Sequence, residues 1–101
     1  MTYEDTLAVL ANPTRRAVFE RLRRGPSSVA GIAEDLPVSR PAVSQHLKAL
    51  KAAGLVRDEP RGTARIYRIH APGLKDLREW LDSFWDEALA SFKDFAEEED
   101  R

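Results

Sequence analysis

The residues of this chain best suited to chemistry are Arg40, Ser44, Gln45, Lys48 and Lys51, all within residues 39–56, SRPAVSQHLKALKAAGLV. Wound as a helix, the stretch has two unlike faces. Val43, Leu47 and Leu50 recur at i, i+4 and i+7, a narrow apolar stripe that faces a core. Arg40, Ser44, Lys48 and Lys51 lie opposite, with Gln45 flanking them and no acid among them. Such a face suits the floor of a DNA major groove and the phosphates beside it. A solvated amphipathic helix is the plainer reading, and one helix alone does not decide between the two.

Composition narrows the choice. A chain of 101 residues fits one domain, residues 1–101. A domain this small buries only about 60 to 70% of its unfolded surface, so association with a second copy would add stability. No run of about 20 apolar residues is present to span a membrane. The N-terminus lacks a basic-then-apolar signal, and a cytoplasmic protein is expected. The absence of cysteine removes disulfides, thiolate metal sites and thiol redox sensing. The net charge of −1 conceals a split. Residues 1–71 hold 12 Lys and Arg against 7 Asp and Glu, a net of +5, while residues 72–101 hold 4 against 10, a net of −6. A basic part beside an acidic part suggests a nucleic-acid surface on one and a different role for the other, although charge runs often just face solvent.

The elements that position the polar face follow from caps and breakers. Residues 3–11 form a first helix with Thr2 as N-cap. Asn12 caps a second, with Pro13 at its first position, which runs to about residue 24 and ends at Gly25-Pro26. Ser28 caps a third helix with Val29, Ile32, Ala33 and Leu36 on one face. Ser39 caps the fourth, Val38 and Val43 form a hydrophobic staple, and Gly54 ends it. Strands at 55–59 and 64–69 flank a turn at 60–63, which reads as a hairpin. Ala71-Pro72-Gly73 breaks the chain before a last helix over 74–96, whose acidic end, residues 97–100, frays. The fold class is mainly α with a small β-hairpin, in the order α-α-α-α-β-β-α.

Two short helices joined by a tight turn, the second polar outside, make a helix-turn-helix. The start of its second helix reaches base edges, here Ser39, Arg40, Pro41, Ser44 and Gln45. Arg reads guanine and Gln reads adenine through paired hydrogen bonds, at about 1 to 3 kcal/mol of discrimination each. Lys48 and Lys51 are better placed for phosphates, and His46 packs at the helix flank or touches a phosphate. The hairpin then reads as a basic wing: Arg57, Arg61, Thr63 and Arg65 join the DNA-binding set, and Arg68 adds to its charge. Asp58 and Glu59 are expected to pair with some of these arginines, and Tyr67 and Ile69 to pack inward.

At this point the chain resembles the ArsR-type winged helix-turn-helix repressors of bacteria. Asn12-Pro13-Thr14-Arg15-Arg16, residues 39–48, Ala53-Gly54-Leu55-Val56 and Tyr67-Arg68-Ile69 carry the resemblance over nearly the whole length. It implies a homodimer that binds operator DNA and represses, often its own operon. Many relatives release DNA on binding a metal, through cysteines on the helix before the recognition helix or Asp, His and Glu on the last one. Here the former reads VAGIAEDL with no thiol, and the latter has Asp82, Asp86 and Glu87 but no histidine. His46 and His70 sit in unrelated contexts, His70 at the surface. No metal or cofactor is expected. The chain is similar to the metal-independent, autorepressor-like branch, some members of which are titrated by a protein partner.

The last helix carries Leu74, Leu77, Leu81, Phe84, Ala88 and Phe92 at spacings of 3 and 4, widened by Trp80, Trp85, Leu89 and Phe95. That is more apolar surface than one terminal helix of a small monomer needs. With Leu7 and Leu10 of the first helix it reads as a dimer interface, formed by segments 1–11 and 72–98. Part of the stripe serves the chain's own core, and a ligand pocket among the aromatics is the weaker alternative. No nucleophile–base set, metal cluster or Gly-rich phosphate loop suggests an enzyme. The reading is a homodimeric, sequence-specific DNA-binding regulator of an inverted-repeat operator. A protein-interaction module on a winged scaffold, or a repressor gated by a small ligand, stands as the alternative.

Overall fold

The computed structural model describes residues 2–99; residues 1, 100 and 101 lie outside the described part. The expected order is observed: α1 (Tyr3–Ala11), α2 (Pro13–Arg21), α3 (Val29–Asp35), α4 (Arg40–Ala52), β1 (Val56–Arg61), β2 (Ala64–Ile69) and α5 (Ala71–Glu99). Each of the first four helices begins on a side-chain cap. The hydroxyl of Thr2 accepts from the Asp5 N–H, and the Asp5 carboxylate accepts from the Thr2 N–H. Asn12, Ser28 and Ser39 accept from the N–H groups of Arg15, Gly31 and Ala42. These bonds satisfy donors that the start of a helix leaves unpaired.

The core lies between α2, α3 and α4. Val18, Leu22, Ile32, Val43, Leu47, Leu50, Leu55 and Val56 form one buried cluster. The stripe of α4 is spent there in full, since Val43, Leu47 and Leu50 are 0% exposed. Val38, Tyr67 and Ile69 pack against the same cluster from its edge.

Several boundaries differ from the sequence reading. The α-helical part of α2 stops at Arg21, and Leu22–Arg24 tighten into a 3₁₀ turn that ends at Gly25, where φ is 133°. The wing turn has two residues instead of four, because Arg61 pairs with Ala64. Gly62 takes a φ of 62° and Thr63 stays at negative φ, as a type II′ turn requires. Leu55 belongs to the helix end rather than to the strand: its N–H donates to the Leu50 carbonyl at 3.0 Å, and its carbonyl accepts from His70 at 2.9 Å. Ser27 also exchanges two backbone bonds with Tyr67, at 3.0 and 2.8 Å, and so fastens the wing to the entry of α3.

The largest difference is at α5. Ala71-Pro72-Gly73 starts the helix instead of breaking the chain. Pro72 is tolerated because a first-turn N–H has no intrahelical partner to lose. Gly73 is a contact, not a break: a Cβ there would lie 1.9 Å from the Gly54 carbonyl oxygen. This close approach seats the start of α5 on the end of α4. Leu77 is then buried and Leu74 half-buried against the core. At the far end Glu97–Glu99 remain helical instead of fraying, and Asp100 lies outside the described residues. Beyond Gly73 the helix contains no glycine or proline to stop it.

α5 has 29 residues, about 43 Å of helix at 1.5 Å per residue. The chain measures 68 × 25 × 24 Å, so this helix extends well past the core. Its outlying part exposes Leu81, Phe84, Trp85, Leu89, Phe92 and Phe95, from 48% for Leu81 to 70% for Phe92. No described helix is long and apolar enough to cross a membrane.

Gly73→Ala forces the α4–α5 junction apart. Overpacking of this kind costs about 1 to 3 kcal/mol. The urea midpoint should fall accordingly, and an unchanged midpoint would show that the junction yields without loss.

Candidate nucleic-acid interface

The turn between α3 and α4 spans only residues 36–39, and the Val38 N–H donates to the Leu36 carbonyl at 2.8 Å. With the apolar stripe of α4 buried, its opposite face is outward by geometry. Ser39, Arg40, Pro41, Ser44, Gln45 and Lys48 are all exposed. The Ser39 hydroxyl is engaged as the cap of α4. Arg40 and Ser44 of α4 and Arg65 and Tyr67 of β2 line one groove of about 450 Å³, with Ser28 and Val29 also lining it. The helix and the wing therefore share one concave surface.

The charges of the wing are not all free. Asp58 accepts from Lys51 at 2.7 Å and from Arg65 at 2.5 Å, joining the end of α4 to β2. Its side chain is only 4% exposed, whereas those of Lys51 and Arg65 are 56% and 54% exposed and lie over it. The Lys51 ammonium, then the Arg65 guanidinium, hold the Asp58 carboxyl below the usual carboxylate range, and Asp58 raises Arg65 in return. Arg68 pairs with Glu59. Arg57, Arg61 and Thr63 are exposed. Among the described residues Arg40, Lys48, Arg57 and Arg61 make no ion pair. Thus two expected DNA contacts, Lys51 and Arg65, share one carboxylate, while four other expected contacts have no such partner among the described residues.

Comparison with known proteins fits this geometry. A family model described as a helix-turn-helix domain matches residues 10–59, from the end of α1 into β1. The HTH-type transcriptional regulator Rv2034 of Mycobacterium tuberculosis is 54% identical over 89% of this chain and 84% of its own length. The transcriptional repressor SdpR of Bacillus subtilis is 32% identical over 79% of this chain and 89% of its own. Among solved structures, the homodimeric winged helix-turn-helix DNA-binding domain of Mb0332 from Mycobacterium bovis, described as a possible ArsR-family transcriptional regulator, superposes with a TM-score of 0.67. It is 30% identical and covers 85% of this chain and 80% of that one. This chain belongs to the ArsR-type family of winged helix-turn-helix transcriptional regulators. The family is one of DNA-binding regulators and not of catalysts.

Within this ArsR-type chain the histidines sit apart from the outward face. His46 is half-buried on the flank of α4 toward α2. Its Nδ1 has no hydrogen-bond partner, nor has the buried Nε of Arg15. Burial, and then the charge of Arg15, push the His46 imidazole below its ordinary pKa. His70, expected at the surface, is half-buried: its N–H bonds to Leu55 and its carbonyl accepts from Gly73 and Leu74. It lines a cavity of about 250 Å³ with Tyr3, Gly54 and Asp76. Among the described residues no three His, Cys, Asp or Glu side chains converge as a metal site would require.

The residues expected at a dimer contact fall into two groups. Leu10, Leu74 and Leu77 pack on their own chain's core. Leu7, Leu81, Phe84, Trp85, Ala88, Leu89 and Phe92 are exposed. Between them Tyr3 stacks on Trp80 at 5.1 Å, and Trp80 meets Phe84 edge-on at 4.9 Å, which brings α1 and α5 together within one chain.

Sequence reasoning expected Asp58 to pair with a wing arginine but missed its burial and its second partner, Lys51, although a signal was present. Val56 and Asp58 are two apart in a strand, so Asp58 shares the phase of a buried residue. An acid on the inward face of a strand calls for a cationic partner. It also missed Asp35, which accepts from Arg21 at 2.6 Å and Arg24 at 3.1 Å, because those residues meet only through the packing of α2 on α3.

His46 gives a pH dependence of defined sign. Its folded-state pKa lies below the free value of 6.5, so the folded protein takes up this proton less readily than the unfolded chain. The stability concerned is present above pH 6.5 and is lost as pH falls from there through the lower, folded-state value. The thermal midpoint should drop over that interval, and His46→Gln should remove the drop. A variant with the wild-type pH profile would assign the effect elsewhere. The depressed carboxyls, Asp5, Asp35 and Asp58, act in the same sense as pH falls through their free value of 3.8, below the start of the His46 interval.

Proposed function

We propose that this chain is a homodimeric repressor that reads an inverted-repeat operator through α4 and steadies itself on the phosphates with the wing. The observation that carries the proposal is the outward face of α4, with Arg40, Ser44, Gln45 and Lys48 exposed beside a wing that bears unclaimed Arg57 and Arg61. Arg40, Ser44 and Gln45 lie on the first two turns of α4, the part of a recognition helix that reaches base edges. Lys48, Arg57 and Arg61 serve phosphates, which fix register without reading sequence.

Support for repression comes from the likeness to a transcriptional repressor, and support for a homodimer from the likeness to a homodimeric domain. The exposed apolar stripe of α5 supplies a surface for it, with Leu7 of α1 alongside. A two-fold axis along α5 sets two recognition helices about 34 to 36 Å apart, one turn of DNA. The chain has no cysteine, and α5 has no histidine to join its acids. Those donor sets do not favour zinc or its neighbours. We therefore propose the metal-independent branch; action on its own operon is what resemblance to the autorepressors of that branch implies.

Selection of bound fragments from random duplex DNA should return an inverted repeat. Arg40→Ala and Gln45→Ala should each relax preference at one position by about 1 to 3 kcal/mol. Lys48→Ala should weaken all duplexes alike and lower the salt slope by about one. Operator affinity unchanged in all three variants would refute this face as the interface. Separately, Trp85→Glu or Phe92→Glu should give a monomer in analytical ultracentrifugation; a dimer in both would move the interface elsewhere.

A further inference from the structure

We propose that Asp58 is a positioning residue for DNA recognition: it orients the Arg65 guanidinium for a backbone phosphate in the groove between wing and recognition helix, and it withholds Lys51 from DNA. The proposal rests on the DNA-binding reading above and adds a division of labour within that surface. Three observations support it.

The first is directional. Arg65 donates through Nε, at 2.5 Å, and its guanidinium makes no other hydrogen bond among the described residues. A guanidinium is a planar fork of five donors. Fixing the Nε edge sets the plane and leaves the two terminal nitrogens for a ligand. The side chain lines the groove that Arg40 and Ser44 also line. A groove lined by two arginines and a serine suits an oxyanion, and on this surface the oxyanion is a phosphodiester.

The second is the burial of the carboxylate. Only 4% of the Asp58 side chain is exposed, so it does not itself meet DNA across an open face. Its two oxygens are divided, one to Lys51 and one to Arg65. The third concerns Lys51. It lies in the last turn of α4, and its ammonium is 2.7 Å from a charge of opposite sign. One carboxylate offsets one of its two cations, and of the two it is Arg65, not Lys51, that lines the groove, so the charge left to displace DNA counterions sits at Arg65 and Lys51 adds little to salt dependence. Lys48, one turn earlier and unpaired among the described residues, has no such restraint.

Electrostatics alone and positioning give opposite signs for one substitution. Removing an acid from a DNA-binding surface should ordinarily tighten binding. If Asp58 positions Arg65, Asp58→Asn should weaken it. The experiment titrates the full chain and its variants with a selected inverted-repeat duplex and with a scrambled duplex, over a series of salt concentrations. Arg65→Ala is expected to lose about tenfold in operator affinity, as for one charged hydrogen bond, and about one unit of salt slope. Asp58→Asn should also lose operator affinity, and the double variant should bind no worse than Arg65→Ala alone. Lys51→Ala should leave the slope unchanged. Arg65→Lys keeps the charge and leaves Asp58 intact, and it should still lose operator affinity, which covers failure of Asp58→Asn to fold.

Tighter binding by Asp58→Asn, additive losses in the double variant, or a slope lowered by Lys51→Ala would overturn the proposal. Absence of salt-dependent binding by the wild-type chain to either duplex would overturn the DNA-binding reading itself, a separate result.

Discussion

The complete burial of Val43, Leu47 and Leu50 is the constraint on which the rest of the molecule depends. A helix in which three positions of one stripe are closed to solvent has no rotational freedom left about its axis. Each of these side chains contributes about 1.5 to 3 kcal/mol by leaving water, and turning α4 by even one position would expose part of that area. The polar face is therefore aimed by the apolar one. Arg40, Ser44, Gln45 and Lys48 point outward because their opposite numbers are held by Val18, Leu22 and Ile32 of the preceding helices. The outward presentation of the polar face of α4 is a consequence of core packing, and any change that loosens the core would blur it.

The wing is held to the same frame by contacts of a different kind. Ser27 adds a backbone pair to β2, Leu55 links the end of α4 to His70, and Asp58 joins Lys51 to Arg65. None is strong alone; even the Asp58 pairs, whose cations are more than half exposed, are weakened by solvent on that side. They act on orientation rather than on stability. A two-stranded hairpin by itself is marginal in water. Here β1 and β2 take their position from both neighbours in sequence, with Tyr67 and Ile69 lying against the core.

What the sequence made legible follows the range of the interactions. Caps are local, and Thr2, Asn12, Ser28 and Ser39 announced four helix starts that the structure keeps. Periodicity is nearly as local, and it identified the buried stripe of α4 correctly. Errors arose where a residue answers to a distant one. Gly73 has the signature of a break in one dimension, yet it is a point of contact with Gly54 in three. Residues 60–63 look like a four-residue turn until the Arg61–Ala64 pair is known. Leu55 reads as the start of a strand but closes the helix before it. At the candidate site the exposed cations were readable, as was the pairing of Asp58 and Glu59 with wing arginines; the hold of Asp58 on Lys51 was not. Composition gives no means of telling Lys48, unpaired among the described residues, from Lys51, bound to Asp58.

The charge split takes on a physical meaning in this arrangement. The basic residues outside α5 lie mostly on α2, α4 and the wing, whereas the acids of residues 72–99 lie along a helix that leaves the core. Exposed charges more than about 8 to 10 Å apart are largely screened at physiological salt. A helix of about 43 Å can therefore be acidic over most of its length without opposing the approach of a polyanion to α4. The same acids flank an apolar stripe that includes Trp85, Leu89 and Phe92, all more than half exposed. Fully apolar helices associate without register, whereas an apolar stripe between acidic flanks admits a partner only where like charges can diverge. Acidity along α5 thus acts in two ways at once: it disfavours approach of a polyanion to that helix, and it narrows the ways in which a partner could cover its apolar face.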